Sequence, residues 1–216
     1  MMPEGPIVLV ILLVLIACGF GAEALHRLGL SPGGAVVLVL GMLLGSLVDV
    51  PIVPGLAMNL GGALVPLVAA LYLLVTAESW DEAVRPAVLA AGVGGAVCLV
   101  GRWFPPGVPT ELNLFYLDAQ YLYELVAGIA AGALARTPRA AFSAAALGVV
   151  GADFAYWAGA FGQSPDPSTI GYLGGTGFHG TAVVAAIIAT AIAHWFGKGL
   201  TVVRGAAGLS SSSRRP

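Results

Sequence analysis

Long apolar runs separated by short polar breaks extend along almost the whole chain. A helix that crosses a bilayer needs about 20 apolar residues, and seven runs come close to that length. These runs predict helices at residues 6–25, 32–48, 57–76, 86–100, 119–135, 140–159 and 177–196. The pattern therefore predicts an all-α fold, a polytopic transmembrane helix bundle of about seven spans.

Composition agrees with a membrane protein and disagrees with a soluble one. Of the 216 residues, 58% are hydrophobic and only 9% are charged, whereas an ordinary soluble domain is about 25% charged. We expect one transmembrane domain over residues 1–204 and a disordered, serine-rich cytoplasmic tail over residues 205–216. The net charge of −2 gives no indication of a nucleic-acid partner, and none is expected.

The sequence contains no motif for a bound cofactor or metal. It lacks a phosphate-binding Gly-Lys-Ser/Thr, a Cys-x-x-Cys pair and a haem-attachment signature. Its two cysteines, Cys18 and Cys98, lie within apolar runs. We therefore expect both to be buried packing thiols, and we expect neither a cofactor nor a metal.

The basic residues sort to one side of a seven-span chain. Cytoplasmic loops carry the excess of Lys and Arg, and Arg102 alone falls on the opposite side. The eight others are Arg27, Arg85, Arg136, Arg139, Lys198, Arg204, Arg214 and Arg215. We therefore expect the N-terminus outside and the C-terminus in the cytoplasm. Cleavage of the first span as a signal peptide is disfavoured, because its leading segment has Glu4 and no Lys or Arg.

Asp153 and His179 are the strongest candidates for a functional site. Asp153 interrupts a hydrophobic run, and His179 lies near the start of the last one. An ionisable group at membrane depth costs at least about 2.5–3.5 kcal/mol, so it is a functional candidate by default. In the predicted orientation both lie in the outer half of the bundle, together with Asn59 and Glu124. The structural alternatives are a hydrogen bond to a neighbouring helix for Asp153 and an interfacial position for His179 or Glu124.

Glycines are dense around His179, in a chain that has 31 of them. The run that contains Gly174, Gly175 and Gly177 can break a helix and leave backbone N–H groups free to bind, with the positive helix end behind them. Irregular backbone at membrane depth is tolerated only where it is buried in protein or lines a wet cavity, which favours a binding site here. Glycines elsewhere are typical of close helix packing, as at Gly128.

The two halves of the chain show a weak internal repeat. Four features recur in the same order: Arg27 and Arg136, Pro32 and Pro138, Asp49 and Asp153, and Leu60-Gly61-Gly62 and Leu173-Gly174-Gly175. We expect two parallel three-helix repeats over residues 6–77 and 117–197, joined by the fourth helix as a linker. Some transporters are built from parallel repeats and bind their substrate at the repeat interface.

Three stretches of the chain resemble the signatures of a known membrane family. They are Asn59-Leu-Gly-Gly-Ala-Leu-Val-Pro66, Gly151-Ala-Asp153 and Ile170-Gly-Tyr-Leu-Gly-Gly-Thr-Gly-Phe178. They are similar to stretches of the prokaryotic multi-pass family called domain of unknown function 1614, and the resemblance extends over residues 41–195. The resemblance implies a protein of a prokaryotic inner (plasma) membrane. It adds little chemistry, because that family has no assigned activity.

His179 departs from the pattern of that family, which commonly has Asp at this position. Two such Asp residues, with a Gly-rich motif on the last helix, are distantly similar to intramembrane aspartyl proteases. Those enzymes need two carboxylates that share a proton. With His179 in the second position this pair cannot form, and Glu124 or Asp118 would have to take its place.

Three classes of function follow from these residues. The first, which we favour, is a small permease in which Asp153 and His179 bind a proton, a cation or a small polar solute. The second is an intramembrane hydrolase, with Asp153 as base or nucleophile and His179 as acid or metal ligand. The third is a structural or accessory membrane subunit without a site. The lipid bilayer is the expected partner, and the many small residues leave a homo-oligomer open.

Overall fold

The structure, a computed structural model, describes residues 28–104, 119–159, 170–175 and 181–206. Six helices lie in these ranges: α1 (Pro32–Gly45), α2 (Val65–Val75), α3 (Trp80–Trp103), α4 (Ala119–Leu134), α5 (Pro138–Trp157) and α6 (Thr181–Ala206). A π-helical segment, Leu60–Leu64, precedes α2, and there are three short strands: β1 (Asp49–Val53), β2 (Leu56–Asn59) and β3 (Gly171–Leu173). The described chain is predominantly helical, which confirms that part of the prediction.

Hydroxyl caps fix where three of the helices begin. Ser31 and Thr137 each accept a hydrogen bond from a backbone N–H of the first turn, and a proline follows each of them in that turn. α1 and α5 therefore begin at or close to their predicted starts. α3 begins well before Pro86, because Ser79 caps it through the backbone N–H of Glu82.

The structure contains a three-stranded sheet that was not predicted: β1 follows the second apolar run, β2 takes up the start of the third, and β3 lies between the sixth and the seventh. Pro51 and Pro54 disfavour helix in the β1–β2 stretch, and Gly55 turns the chain with a φ of 82°. β1 and β2 form an antiparallel hairpin, whereas β2 and β3 are parallel. The parallel register pairs Leu56 with Gly171, Ala57 with Tyr172 and Met58 with Leu173. The all-α prediction is therefore wrong in detail, because the predicted helix 57–76 begins as strand and π-helix.

The prediction of seven spans is not supported. In the part of the chain that the structure describes, α3 and α5 are long and apolar enough to cross a membrane. The other apolar helices are shorter and cover residues 33–45, 60–75, 121–134 and 182–196. They are shorter partly because the hairpin takes up residues that the pattern assigned to helix. The predicted first span, residues 6–25, and most of the predicted tail, residues 207–216, lie outside the described ranges.

α5 lies at the centre of the bundle, in contact with α2, α3, α4 and α6. Small buried residues line it: Ala141, Ser143, Ala144, Ala145, Ala146 and Gly148. A Cβ placed on Gly94 of α3 would lie 2.9 Å from the Gly148 carbonyl oxygen, so these two helices meet backbone to backbone. A Cβ on Gly128 of α4 would lie 2.6 Å from the side chain of Ile188 on α6, which confirms the predicted packing role of Gly128.

The sheet joins the two halves of the proposed repeat. In each half an apolar helix is followed by an extended segment and a further helix: α1, β2 and α2 in the first, and α5, β3 and α6 in the second. β2 and β3 are parallel, but Leu173 pairs with Met58 and not with Leu60, its counterpart in the repeat. The repeat stays a prediction, because its first helix lies outside the described residues.

Gly61, in the π-helical segment, packs against the end of α1 without room for a side chain. A Cβ at this position would lie 1.9 Å from the Met42 carbonyl oxygen and 2.3 Å from the Ser46 nitrogen. Because both obstacles are backbone, we expect Gly61→Ala to lower the free energy of unfolding by about 3 kcal/mol. The control Gly92→Ala, in α3 with no atom within 4 Å of the new Cβ, should be neutral or stabilise by about 0.5–1 kcal/mol. Thermal unfolding in detergent measures both, and equal melting temperatures would contradict the close packing.

Candidate functional site

Asp153 lies in the last third of α5, with its side chain half-buried. Its Oδ2 atom accepts a hydrogen bond of 2.8 Å from the backbone N–H of Gly174. Hydrogen bonds that involve an ionised group are shorter and stronger than neutral ones. This hydrogen bond directs the Asp153 side chain toward the backbone of Gly174, and it connects α5 to the chain that follows β3.

Where the chain after β3 packs against the π-helical segment, both the backbone conformation of Gly174 and the lack of space around it require glycine. Gly174 and Gly175 have φ angles of 80° and 87°, in the left-handed region that favours glycine. A Cβ on Gly174 would lie 2.5 Å from the Ala63 nitrogen, and one on Gly62 would lie 2.4 Å from the Gly174 carbonyl oxygen. The glycines let two irregular segments touch, and the N–H of Gly174 is bound by the protein's own carboxylate.

Asn59 is fully buried and holds the start of the π-helical segment. Its Nδ2 donates to the Ser46 carbonyl oxygen at 3.0 Å and to Asp49 Oδ1 at 2.8 Å. Its Oδ1 accepts from the Gly62 N–H at 2.6 Å. The side-chain amide of Asn59 is thus hydrogen-bonded through both its nitrogen and its oxygen. It joins the backbone at Ser46, just after α1, to the backbone at Gly62 in the π-helical segment. The sequence analysis named Asn59 as a binding residue, and the structure gives it a positioning role.

The close contact between Gly62 and Gly174 brings the two parts of the site together. Asn59 holds Gly62, Gly62 packs on Gly174, and Gly174 donates to Asp153. The structure therefore unites Asn59, Gly174, Gly175 and Asp153 of the predicted site in one continuous cluster.

Glu124, a further predicted site residue, is buried on α4. Its burial argues against the interfacial alternative, because an interfacial side chain would be exposed. α4 contacts α3, α5 and α6, so Glu124 belongs to the bundle interior. Among the described residues, no group of three or more His, Cys, Asp and Glu side chains could hold a metal ion.

His179 and Gly177 lie in residues 176–180, outside the described part of the chain, and so does Asp118. The predicted pairing of Asp153 with His179 therefore stays a prediction.

Two side chains near Asp153 make contacts that the sequence analysis missed. Cys98 of α3 contacts the carbonyl oxygen of Ala152 with its Sγ at 3.9 Å. Trp157, at the end of α5, donates its Nε1–H to the Gly55 carbonyl oxygen at 3.1 Å, which joins α5 to the β1–β2 turn. The sequence carried no signal for either contact, because both acceptors are backbone carbonyls far away along the chain.

Comparison of the chain with known protein families, with curated proteins and with solved structures finds no match. The resemblance to the domain of unknown function 1614 family therefore stays a prediction that rests on the three stretches quoted above. The site has to be interpreted from its own geometry.

The hydrogen bonds of Asn59 generate a stability prediction. Asn59→Ala leaves the Ser46 carbonyl and the Gly62 N–H without their partner inside the protein, and each such loss costs about 1–3 kcal/mol. We expect a loss of at least about 2 kcal/mol in the free energy of unfolding, measured by thermal unfolding in detergent. Ser143→Ala is the control, because Ser143 is also buried but its Oγ lies 3.5 Å from the Ala70 carbonyl oxygen, at the outer limit of a hydrogen bond. Similar melting temperatures for the two variants would show that the Asn59 network does not hold this part of the fold.

Proposed function

We propose that this chain is an integral protein of a prokaryotic inner (plasma) membrane, in which Asp153 takes part in the passage of a proton, a small cation or a small polar solute. The observation that carries the proposal is a carboxylate inside an apolar helix long enough to cross a membrane, held where two irregular segments meet. Such a group is expensive in lipid and is usually functional.

The exposure of α3 supports the membrane location. Only 22% of its most apolar window is buried in the protein, whereas an apolar core helix of a soluble protein would be mostly buried. Its outward side chains include Val84, Val88 and Leu99. An apolar helix with this much exposed surface is favoured in an apolar solvent, which supports a position of α3 in lipid.

The ends of α3 fit the dimensions of a bilayer. Trp80 and Trp103 are its first and last residues and are 82% and 79% exposed. A helix of 24 residues is about 36 Å long, somewhat more than the hydrocarbon thickness of about 30 Å. Tryptophans are enriched where hydrocarbon meets headgroups, so α3 has an anchor at each interface.

The irregular backbone around Asp153 supports a binding role. β2 leads into the π-helical segment, and β3 leads into Gly174 and Gly175, so the chain leaves helical geometry at two adjoining places. Transporters bind ions and substrates at discontinuous helices of this kind. We therefore favour the permease over the hydrolase.

The predicted orientation is part of the proposal. Arg85 near the start of α3, Arg136 between α4 and α5, and Arg139 in the first turn of α5 line one groove at the end of the bundle where α5 begins. Asp153 lies toward the other end of α5. This arrangement supports a cytoplasmic face at the arginines, with the Asp153 cluster toward the outside.

Asp153→Asn separates the charge of the residue from its hydrogen bond. The Asn side-chain oxygen can still accept from the Gly174 N–H, so the fold should persist while the ionisable group is lost. We expect flux to fall at least about tenfold, which corresponds to about 1.4 kcal/mol in the barrier. The assay uses proteoliposomes with an imposed potassium diffusion potential and follows proton entry by an internal pH-sensitive dye and sodium entry by a sodium-sensitive dye.

Asp49→Asn is the matched control for this experiment. Asp49 is exposed, and the Asn side-chain oxygen can keep the hydrogen bond from Asn59. We expect this variant to keep the flux of the unmodified protein. If Asp153→Asn transports as well as the unmodified protein, the Asp153 carboxylate is structural. If proton and sodium entry with the unmodified protein do not exceed those of empty liposomes, the protein transports neither ion. That result would favour the structural or accessory class of function.

A further inference from the structure

A groove of about 780 Å³ lies at the opposite end of the bundle from Asp153. Its walls are the start of α3, the end of α4 and the start of α5. Arg139 lines it from the first turn of α5, so the groove is about 20 Å along that helix from Asp153. The groove is therefore separate from the proposed ion site.

The groove carries charges of both signs that have no oppositely charged partner among the residues that the structure describes. Among its acidic and basic residues, Arg85 and Asp81 form an ion pair of 2.8 Å. Arg139 donates to neutral acceptors, the carbonyl oxygen of Leu73 and the hydroxyl of Thr76. Within the described part of the chain, Arg136 has neither an ion-pair nor a hydrogen-bond partner. Two guanidinium groups therefore remain without a carboxylate partner.

Two carboxylates on the α3 side of the groove are also left without a cation. Glu78 and Glu82 line it, and Glu82 accepts a hydrogen bond of 3.3 Å from the backbone N–H of Glu78. Because the groove offers both free cations and free anions, its charges match a zwitterion better than a simple anion.

An apolar wall continues from the charged mouth along the bundle. Val84, Val88 and Leu134 line the groove, and the last two are 67% and 69% exposed. Trp80 is the first residue of α3 and precedes Asp81, which lines the groove. This is a position where an interfacial anchor is expected. An occupant that fits has a zwitterionic head at the interface and a hydrocarbon tail along these side chains.

We propose that this groove binds a phospholipid with a primary ammonium group, of the phosphatidylethanolamine type. The phosphate accepts hydrogen bonds from Arg136 and Arg139, the ammonium donates to Glu78 and Glu82, and an acyl chain lies along α3 and α4. The proposal rests on the membrane location proposed above, but it does not depend on any role of Asp153.

Native mass spectrometry of the delipidated full-length protein in detergent tests the proposal. The titrated probes are phosphatidylethanolamine, phosphatidylcholine and phosphatidylglycerol with identical acyl chains. Phosphatidylcholine has no N–H to donate, and phosphatidylglycerol has no cation. We expect the first lipid to bind about tenfold more tightly than either of the others, equivalent to about 1.4 kcal/mol.

Charge-removing variants then assign the two halves of the headgroup. Arg136→Gln should abolish the preference by weakening phosphatidylethanolamine binding about tenfold. The double variant Glu78→Gln and Glu82→Gln should shift the preference to phosphatidylglycerol. Arg102→Gln, at the other end of α3, is the matched control and should leave the preference unchanged.

Equal binding of the three lipids, or unchanged binding by Arg136→Gln, would overturn the proposal. These outcomes are distinct from failure of the proposed function. A protein that stays in solution without detergent would contradict the membrane location itself. If the flux assay shows no transport but the lipid preference is intact, the proposal for the groove stands. The proposed function of Asp153 is then the one contradicted.

Discussion

Backbone polar groups that leave a helix inside an apolar bundle need partners within the protein, because an unpaired group in apolar surroundings is costly. This chain leaves helical geometry at β1–β2 and again at β3. The backbone groups of these two places are paired with each other and with nearby side chains. β2 and β3 pair with each other. Asn59 satisfies the Ser46 carbonyl and the Gly62 N–H, and Asp153 satisfies the Gly174 N–H. The positions of Asn59, Gly174 and Asp153 follow from this mutual satisfaction.

The proposed role of Asp153 rests on the same constraint. A neutral Asn side chain could accept the hydrogen bond from Gly174, as Asn59 accepts the one from Gly62. An ionisable carboxyl in an apolar helix is the costlier choice for that task. The proposed binding of a cation or a proton by the carboxylate would account for this extra cost.

Sequence reasoning found the helices well and their interruptions poorly. The apolar runs placed the starts of α1 and α5 within two residues, whereas the cap at Ser79 puts the start of α3 six residues before the predicted one at Pro86. The hairpin was missed because a short apolar strand and an apolar helix have the same composition, although Pro54-Gly55 is a turn signal. Asp153 was found as a lone charge in an apolar run. Its partner was not, because a contact with the Gly174 backbone depends on how distant segments pack.

The pairing of β2 with β3 is the most direct test of this account. Met58→Cys and Leu173→Cys, in a chain whose native cysteines are replaced by serine, place two thiols on facing residues of adjacent strands, which lie about 4.8 Å apart. This spacing is within the range for a disulfide. We predict that mild oxidation in native membranes links residues 58 and 173 rapidly. The control pair of Leu173→Cys with Val75→Cys, at the far end of α2, should not link. Equal rates for the two pairs would contradict the joined segments on which the site depends.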